Sequence, residues 1–126
     1  MRLLLDTMVL VWAAERPARL SRRAERMIRD ARHVLELSAL SVSEIAIKNR
    51  VGKLNLPERD LEKVLDELKI RVLPYTWDHA CKLFGLAWHH TDPFDRQILA
   101  QALVEDIPII TSDEVFERYE GIRVIW

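Results

Sequence analysis

The chain has 126 residues, 49% of them apolar, and carries 19 Lys and Arg against 20 Asp and Glu, a formal net charge of −1. That mix fits one folded domain over residues 1–126 and excludes a disordered chain and a strongly basic nucleic-acid-binding protein, although a local basic patch leaves a nucleic-acid substrate open. Cys81 is the only cysteine, which excludes an intrachain disulfide and a cysteine-rich zinc site, and with no membrane-length apolar run and no signal peptide a cytoplasmic protein is expected.

Leu3-Leu4-Leu5 is a short, wholly apolar run ended by Asp6-Thr7, which reads as a strand buried on both faces. A helix is expected over Met8–Glu15, closed by Pro17. Ser21 starts a second helix to about Ala31, with Ala24, Met27, Ile28 and Ala31 inward and Arg22, Arg23, Arg26 and Arg29 outward. That basic face is either a solvated surface or a contact for phosphates or an acidic partner.

His33–Leu40 reads as the second strand. Ser41 is expected to cap a helix over Val42–Val51, with Val42, Ile45 and Ala46 inward and Gly52 just beyond its end. Pro57 opens an acidic helix to about Leu68, with Leu61, Val64, Leu65 and Leu68 as its apolar stripe. Ile70–Leu73 is a third strand and Thr76–Trp88 a helix, in which Cys81 packs as a small residue near Ala80, Phe84 and Ala87. The stretch Asp92-Pro93-Phe94-Asp95 has the form of a helix start: Asp92 as N-cap, Pro93 first, Asp95 in the first turn. That helix runs to about Glu105. Ile107–Ile110 is a fourth strand, Asp113–Tyr119 a short helix and Ile122–Ile125 a fifth strand. Short strands alternating with helices predict an α/β fold in three layers, with a central, mainly parallel sheet of four to five strands.

This layout draws four acids together. Asp6 ends the first strand and Asp113 follows the fourth. Glu44 is near the start of the helix after the second strand, and Asp95 near the start of the helix that runs back before the fourth. All four therefore approach the rim at the carboxyl ends of the strands, where ligands of such sheets bind. Each has an ordinary explanation: Asp6 and Asp113 can cap helices, and Glu44 can pair with Lys48 at i, i+4. Together they repel one another unless a cation is present. A group of hard oxygen ligands suits Mg²⁺ or Mn²⁺, which can ionise a water and neutralise a phosphodiester's developing charge. His89 and His90 lack zinc-site spacing and read as loop packing or hydrogen-bonding residues. The three glycines are too few and wrongly spaced for a phosphate-cradling loop.

Four blocks carry a resemblance: Leu3-Leu4-Leu5-Asp6-Thr7; Ser43-Glu44-Ile45-Ala46-Ile47-Lys48 with Gly52-Lys53-Leu54; His90-Thr91-Asp92-Pro93-Phe94-Asp95-Arg96 with Gln101-Ala102; and Ile110-Thr111-Ser112-Asp113. In this order they resemble PIN-domain proteins, specifically the VapC-like toxins of type II toxin–antitoxin pairs. The resemblance implies a PIN-like fold and a Mg²⁺- or Mn²⁺-dependent ribonuclease, an endoribonuclease hydrolysing RNA phosphodiester bonds. Carried over by position, Asp6, Glu44, Asp95 and Asp113 are its catalytic and metal-binding acids. Thr111 and Thr7 would orient carboxylates, Asp92 is a further acid at the rim, and Arg96 would contact phosphate or pair with an acid. The expected partners are RNA, a cognate antitoxin covering the acidic groove and a second copy in a homodimer, with no membrane. Met8 and Ser43 depart from the histidine and tryptophan frequent in this subgroup, which bears on substrate contacts and packing.

Two other readings differ in chemistry. A non-catalytic PIN-like binding module has no use for the repulsion among four acids. An aspartyl-phosphate phosphohydrolase needs a nucleophilic Asp with an acidic partner and a lysine, and Met8 breaks the Asp-x-Asp pattern of one large class of such enzymes.

Overall fold

A computed structural model describes residues 1–126. Five strands, β1 (Arg2–Leu5), β2 (Val34–Ser38), β3 (Arg71–Leu73), β4 (Ile109–Ile110) and β5 (Val124–Ile125), form one sheet in the order β3-β2-β1-β4-β5. Every pairing is parallel, with Leu3 opposite Leu35 and Leu5 opposite both Leu37 and Ile110. Six helices connect them: α1 (Thr7–Glu15), α2 (Arg22–Arg29), α3 (Ala39–Arg50), α4 (Glu58–Glu67), α5 (Trp77–Lys82) and α6 (Pro93–Glu105).

Successive strand residues point to opposite faces, so an all-apolar strand feeds two cores. Leu3 and Leu5 join Val9 and Leu10 of α1, Ala24 and Ile28 of α2, Ile45 of α3 and Leu61 and Val64 of α4. Leu4 points the other way, to Ile98, Leu99 and Ala102 of α6 and to Phe116 and Tyr119. The result is the three-layer α/β arrangement expected. No helix is long and apolar enough to cross a membrane.

The boundaries that differ have local causes. β2 stops at Ser38, where its pairing with β3 ends, and Ser38 rather than Ser41 caps α3 by accepting from the Leu40 amide at 3.0 Å. Ala46, expected inward, is exposed, as is Ala31, which lies beyond the end of α2. Gly52 follows α3 with φ +77°, the left-handed conformation its position predicts. The helix expected over Thr76–Trp88 is cut to α5 and a 3₁₀ turn at Leu83–Gly85; His79 is the one residue of α5 that is buried, and Phe84 is 96% exposed. β4 is shorter than expected because Pro108 has no N–H to pair, although its carbonyl accepts from Leu4. The segment after Asp113 is a 3₁₀ helix, Glu114–Arg118.

Candidate functional site

β1 is the hinge of the topology. The chain moves outward from it to β2 and β3, then crosses to β4 and β5 on its other side. The crevice at such a reversal opens beyond the carboxyl ends of the strands, and Asp6 is the residue that follows β1 there. A cleft of about 220 Å³ opens at this rim, lined by Asp6, Glu44, Asp92, Asp95 and Asp113 together with Thr7, Met8, Trp12, Lys48 and Ser112. The four acids drawn together on the sequence thus share one pocket, although Glu44, expected on the first turn of its helix, lies in the second because α3 begins at Ala39.

Their local roles differ. Asp6 occupies the cap position of α1, yet its side chain makes no cap bond. Its Oδ2 instead accepts from the Thr111 hydroxyl at 2.7 Å, a buried bond spanning the sheet from β1 to β4. Asp113 does cap, accepting from the Val115 amide through Oδ1 at 3.0 Å. Asp92 caps α6 through the Phe94 amide at 2.8 Å. Glu44 is buried; Oε2 takes Lys48 Nζ at 2.8 Å, the i, i+4 pair expected, while Oε1 is buried without a partner. A buried acceptor left unpaired costs free energy unless a donor or cation reaches it.

The charges strain one another. Burial, followed by the charges of Asp6, Asp92, Glu44 and Asp113, pushes the Asp95 carboxyl up to about 7. Burial also raises Asp6; the Thr111 hydroxyl and the Thr7 amide oppose it, and Glu44 and Asp113 add to it. Lys48 is raised, first by its bond to Glu44. Carboxylates of this kind share a pocket at a cost that a divalent cation removes.

Two supporting residues make contacts other than those expected. Arg96 meets neither an acid nor the cleft: its buried guanidinium donates to the carbonyls of Ala87 at 2.9 Å and Leu86 at 3.3 Å and lies 3.9 Å from the Trp88 ring centre. It fastens the loop before α6. The Thr7 hydroxyl donates to Ser41 Oγ at 2.8 Å, tying α1 to α3 rather than orienting a carboxylate. Thr111 orients Asp6 and also accepts from the Asp113 amide at 3.0 Å, linking two of the acids.

Sequence reasoning passed over one neighbour. His90 is buried beside the cleft, with Nε2 2.9 Å from Asp113 Oδ2 and Nδ1 3.1 Å from the Tyr119 hydroxyl. Its ligand nitrogen and the carboxylate oxygens of Asp95 and Asp113 lie within 4.8 Å of one another. Only its adjacence to the Asp92–Asp95 stretch hinted at this, because Tyr119 is 29 residues away in the chain.

Comparison with known proteins matches residues 3–122 to the model of the PIN domain family. No curated protein sequence matches the chain. Among solved structures, a chain of the VapBC2 complex of Rickettsia felis bound to a promoter DNA fragment is 15% identical at a TM-score of 0.72, covering 98% of this chain and 97% of that one. A chain of DNA-bound VapBC from Salmonella typhimurium is 21% identical at a TM-score of 0.71, covering 98% and 96%. Mycobacterium tuberculosis VapC20, described as a sarcin-ricin loop cleaving toxin, is 19% identical at a TM-score of 0.59, covering 96% and 98%. Identities this low speak to the fold.

Proposed function

The chain belongs to the PIN domain family, and from that premise we propose that it is a Mg²⁺- or Mn²⁺-dependent endoribonuclease, the toxin of a toxin–antitoxin pair. One observation carries the reading: Asp6, Glu44, Asp95 and Asp113 line a single cleft, and Glu44 Oε1 is buried and unpartnered. An all-oxygen donor set is what Mg²⁺ and Mn²⁺ take. Asp6 and Asp95 are the firmest candidates to hold the ion, with Glu44 and Asp113 binding it directly or through water. When bound, such an ion lowers the pKa of an attacking water and offsets the negative charge that builds on a phosphodiester. The residues of the chain do the rest. Thr111 fixes the Asp6 carboxylate, Lys48 keeps one oxygen of Glu44 occupied while the other is buried without a partner, and Asp92 adds negative charge to the cleft.

RNA as substrate is supported by the description of VapC20 and by exposed arginines on the segments that follow α1. Trp12 lines the cleft, and the Arg19 guanidinium lies 4.9 Å from its ring centre. Arg22, Arg23 and Arg26 follow on α2, exposed and without an ion pair. An antitoxin partner is supported by the VapBC complexes. We expect a cationic antitoxin side chain to enter the acidic cleft and take the place of the cation's charge. The protein as a homodimer is supported by three exposed aromatic side chains, Trp77, Phe84 and Trp88, 79%, 96% and 69% exposed.

Purified protein incubated with short RNA should cleave it in Mn²⁺ and not in EDTA. Asp6→Asn and Asp95→Asn should each lower the rate by at least about 100-fold, with the far-UV circular dichroism of the wild type retained. Undiminished cleavage in both variants rejects the site. Growth arrest on expression, relieved by the product of a neighbouring gene, tests the toxin role.

A further inference from the structure

The environment of His90 determines where its proton sits. The Tyr119 hydroxyl oxygen accepts from the backbone amides of His89 at 3.2 Å and His90 at 2.8 Å. A hydroxyl has two acceptor positions and one proton. With both positions filled, Tyr119 can only donate to His90 Nδ1, 3.1 Å away. Nδ1 is then the acceptor nitrogen of a neutral ring, the proton is on Nε2, and Nε2–H donates to Asp113 Oδ2 at 2.9 Å. Packing holds the ring in this pose. It stacks on Tyr119 at 5.5 Å and 12°, and meets Phe116 edge-on at 4.7 Å.

Asp113 is thereby held at both oxygens, Oδ1 by the Val115 amide and Oδ2 by His90. A carboxylate that merely capped the 3₁₀ helix would need only the first bond. The second stops the half-exposed group from turning into solvent. The nearness of His90 to Asp95 and Asp113 also invites a reading of His90 as a metal ligand. The proton on Nε2 argues against it, since a ligating nitrogen must be bare. Moving that proton to Nδ1 would confront a Tyr119 oxygen that already accepts two hydrogen bonds.

We propose that His90 is a positioning residue: fixed by Tyr119 as the Nε2-protonated tautomer, it holds the Asp113 carboxylate in the cleft and is not itself a metal ligand. This rests on the metal-dependent reading above, and it assigns a function to a histidine and a tyrosine outside the acidic set. Residues that orient carboxylates in this way typically tune metal affinity by about 10- to 100-fold.

The test uses the whole chain labelled with ¹⁵N. Two-bond ¹H–¹⁵N correlation at neutral pH should show His90 protonated at Nε2, and saturating Mg²⁺ should leave that proton in place. Tyr119→Phe should give a mixture of tautomers. By isothermal titration calorimetry, His90→Phe should bind Mn²⁺ about 10- to 100-fold more weakly than wild type. His90→Gln, whose side-chain amide restores a donor to Asp113, should recover most of that loss. If His90→Phe does not fold, the wild-type spectra with and without Mg²⁺ and the Tyr119→Phe spectrum still decide, because Tyr119→Phe keeping the Nε2-protonated form alone would overturn the role of Tyr119. A proton on Nδ1 in the wild type, loss of the Nε2 proton on Mg²⁺ binding, or a His90→Phe protein with wild-type Mn²⁺ affinity would each overturn the proposal. A wild type that binds no Mn²⁺ overturns both this assignment and the metal-dependent function. A wild type that binds Mn²⁺ but cuts no RNA overturns only the ribonuclease reading.

Discussion

Asp95 has its carboxyl pushed up to about 7 from an ordinary 3.8, by burial first and like charge second, with no hydrogen bond opposing the shift. The consequence for stability has a definite sign. Between pH 4 and 7 the cation-free native protein holds a proton on Asp95 that the unfolded chain has lost. Its stability should therefore fall as pH rises through that window and level off above it. Asp95→Asn removes the titrating group. In EDTA at pH 8 it should raise Tm by about 4 °C, the shift that about 1 kcal/mol makes in a chain of this size. At pH 4 the variant and the wild type should melt together. Equal melting at pH 8 would count against an uncompensated acid in the cleft. Because a cation must displace the same proton, Mn²⁺ affinity should tighten as pH rises toward 7 and then flatten. Of the single-residue readings, the four acids, the Lys48 pairing of Glu44 and the Asp92 cap were legible because each follows from residue type and local spacing. The placement of Arg96 was not: its partners are two carbonyls and an indole in a loop whose path the sequence pattern does not encode.

Among the elements, α2 is the one whose outer face is least explained by folding. Ala24 and Ile28 anchor it, and Arg22, Arg26 and Arg29 recur on the opposite side. Arg29 pairs with Glu25, whereas Arg22, Arg23 and Arg26 have no ionic partner. Changing these three to Gln should weaken binding of single-stranded RNA, measured by fluorescence anisotropy in EDTA, and should lower the slope of log K against log salt by about 2 if all three rest on phosphates. Cleavage of a dinucleotide too short to reach α2 should be unaffected. An unchanged salt slope would return this face to plain solvation, and loss of binding to the antitoxin instead would assign it to that partner. The contrast between α6 and α5 shows what makes an element readable. α6 announces itself with a cap, a proline and an apolar stripe, and it runs from Pro93 to Glu105 as expected. α5 begins with a sound Thr76–His79 capping box but stops after six residues. Beyond it Leu86 still packs against the core, whereas Phe84 and Trp88 stand exposed, and a periodicity of apolar residues does not say whether anything covers them.

For the molecule as a whole, these exposed aromatic side chains are the main departure from the usual economy of a folded surface. Trp77, Phe84 and Trp88 stand exposed on and beyond α5, although Arg96 covers one side of the Trp88 ring. A second copy of the chain buried there would account for them. Light scattering coupled to size exclusion should give a mass of twice 14.8 kDa for the wild type. Trp77→Glu combined with Phe84→Glu should give the single-chain mass, with little change in Tm beyond the contribution of association itself. A wild type that runs as a single chain at tens of micromolar would remove the dimer.

The sequence by itself determined the alternation of strands and helices, the parallel sheet they imply, and the carboxyl-end rim to which Asp6, Glu44, Asp95 and Asp113 are directed, because apolar periodicity, caps and breakers act over a few neighbouring residues. Only the tertiary structure decided what those acids meet. It joined Asp6 to Thr111 across 105 residues of chain, left Glu44 Oε1 without a partner, and set Tyr119 behind His90 behind Asp113. Hydrogen bonds between residues far apart in the chain depend on the register of the sheet and the packing of whole layers, and neither is written in the spacing of any single segment.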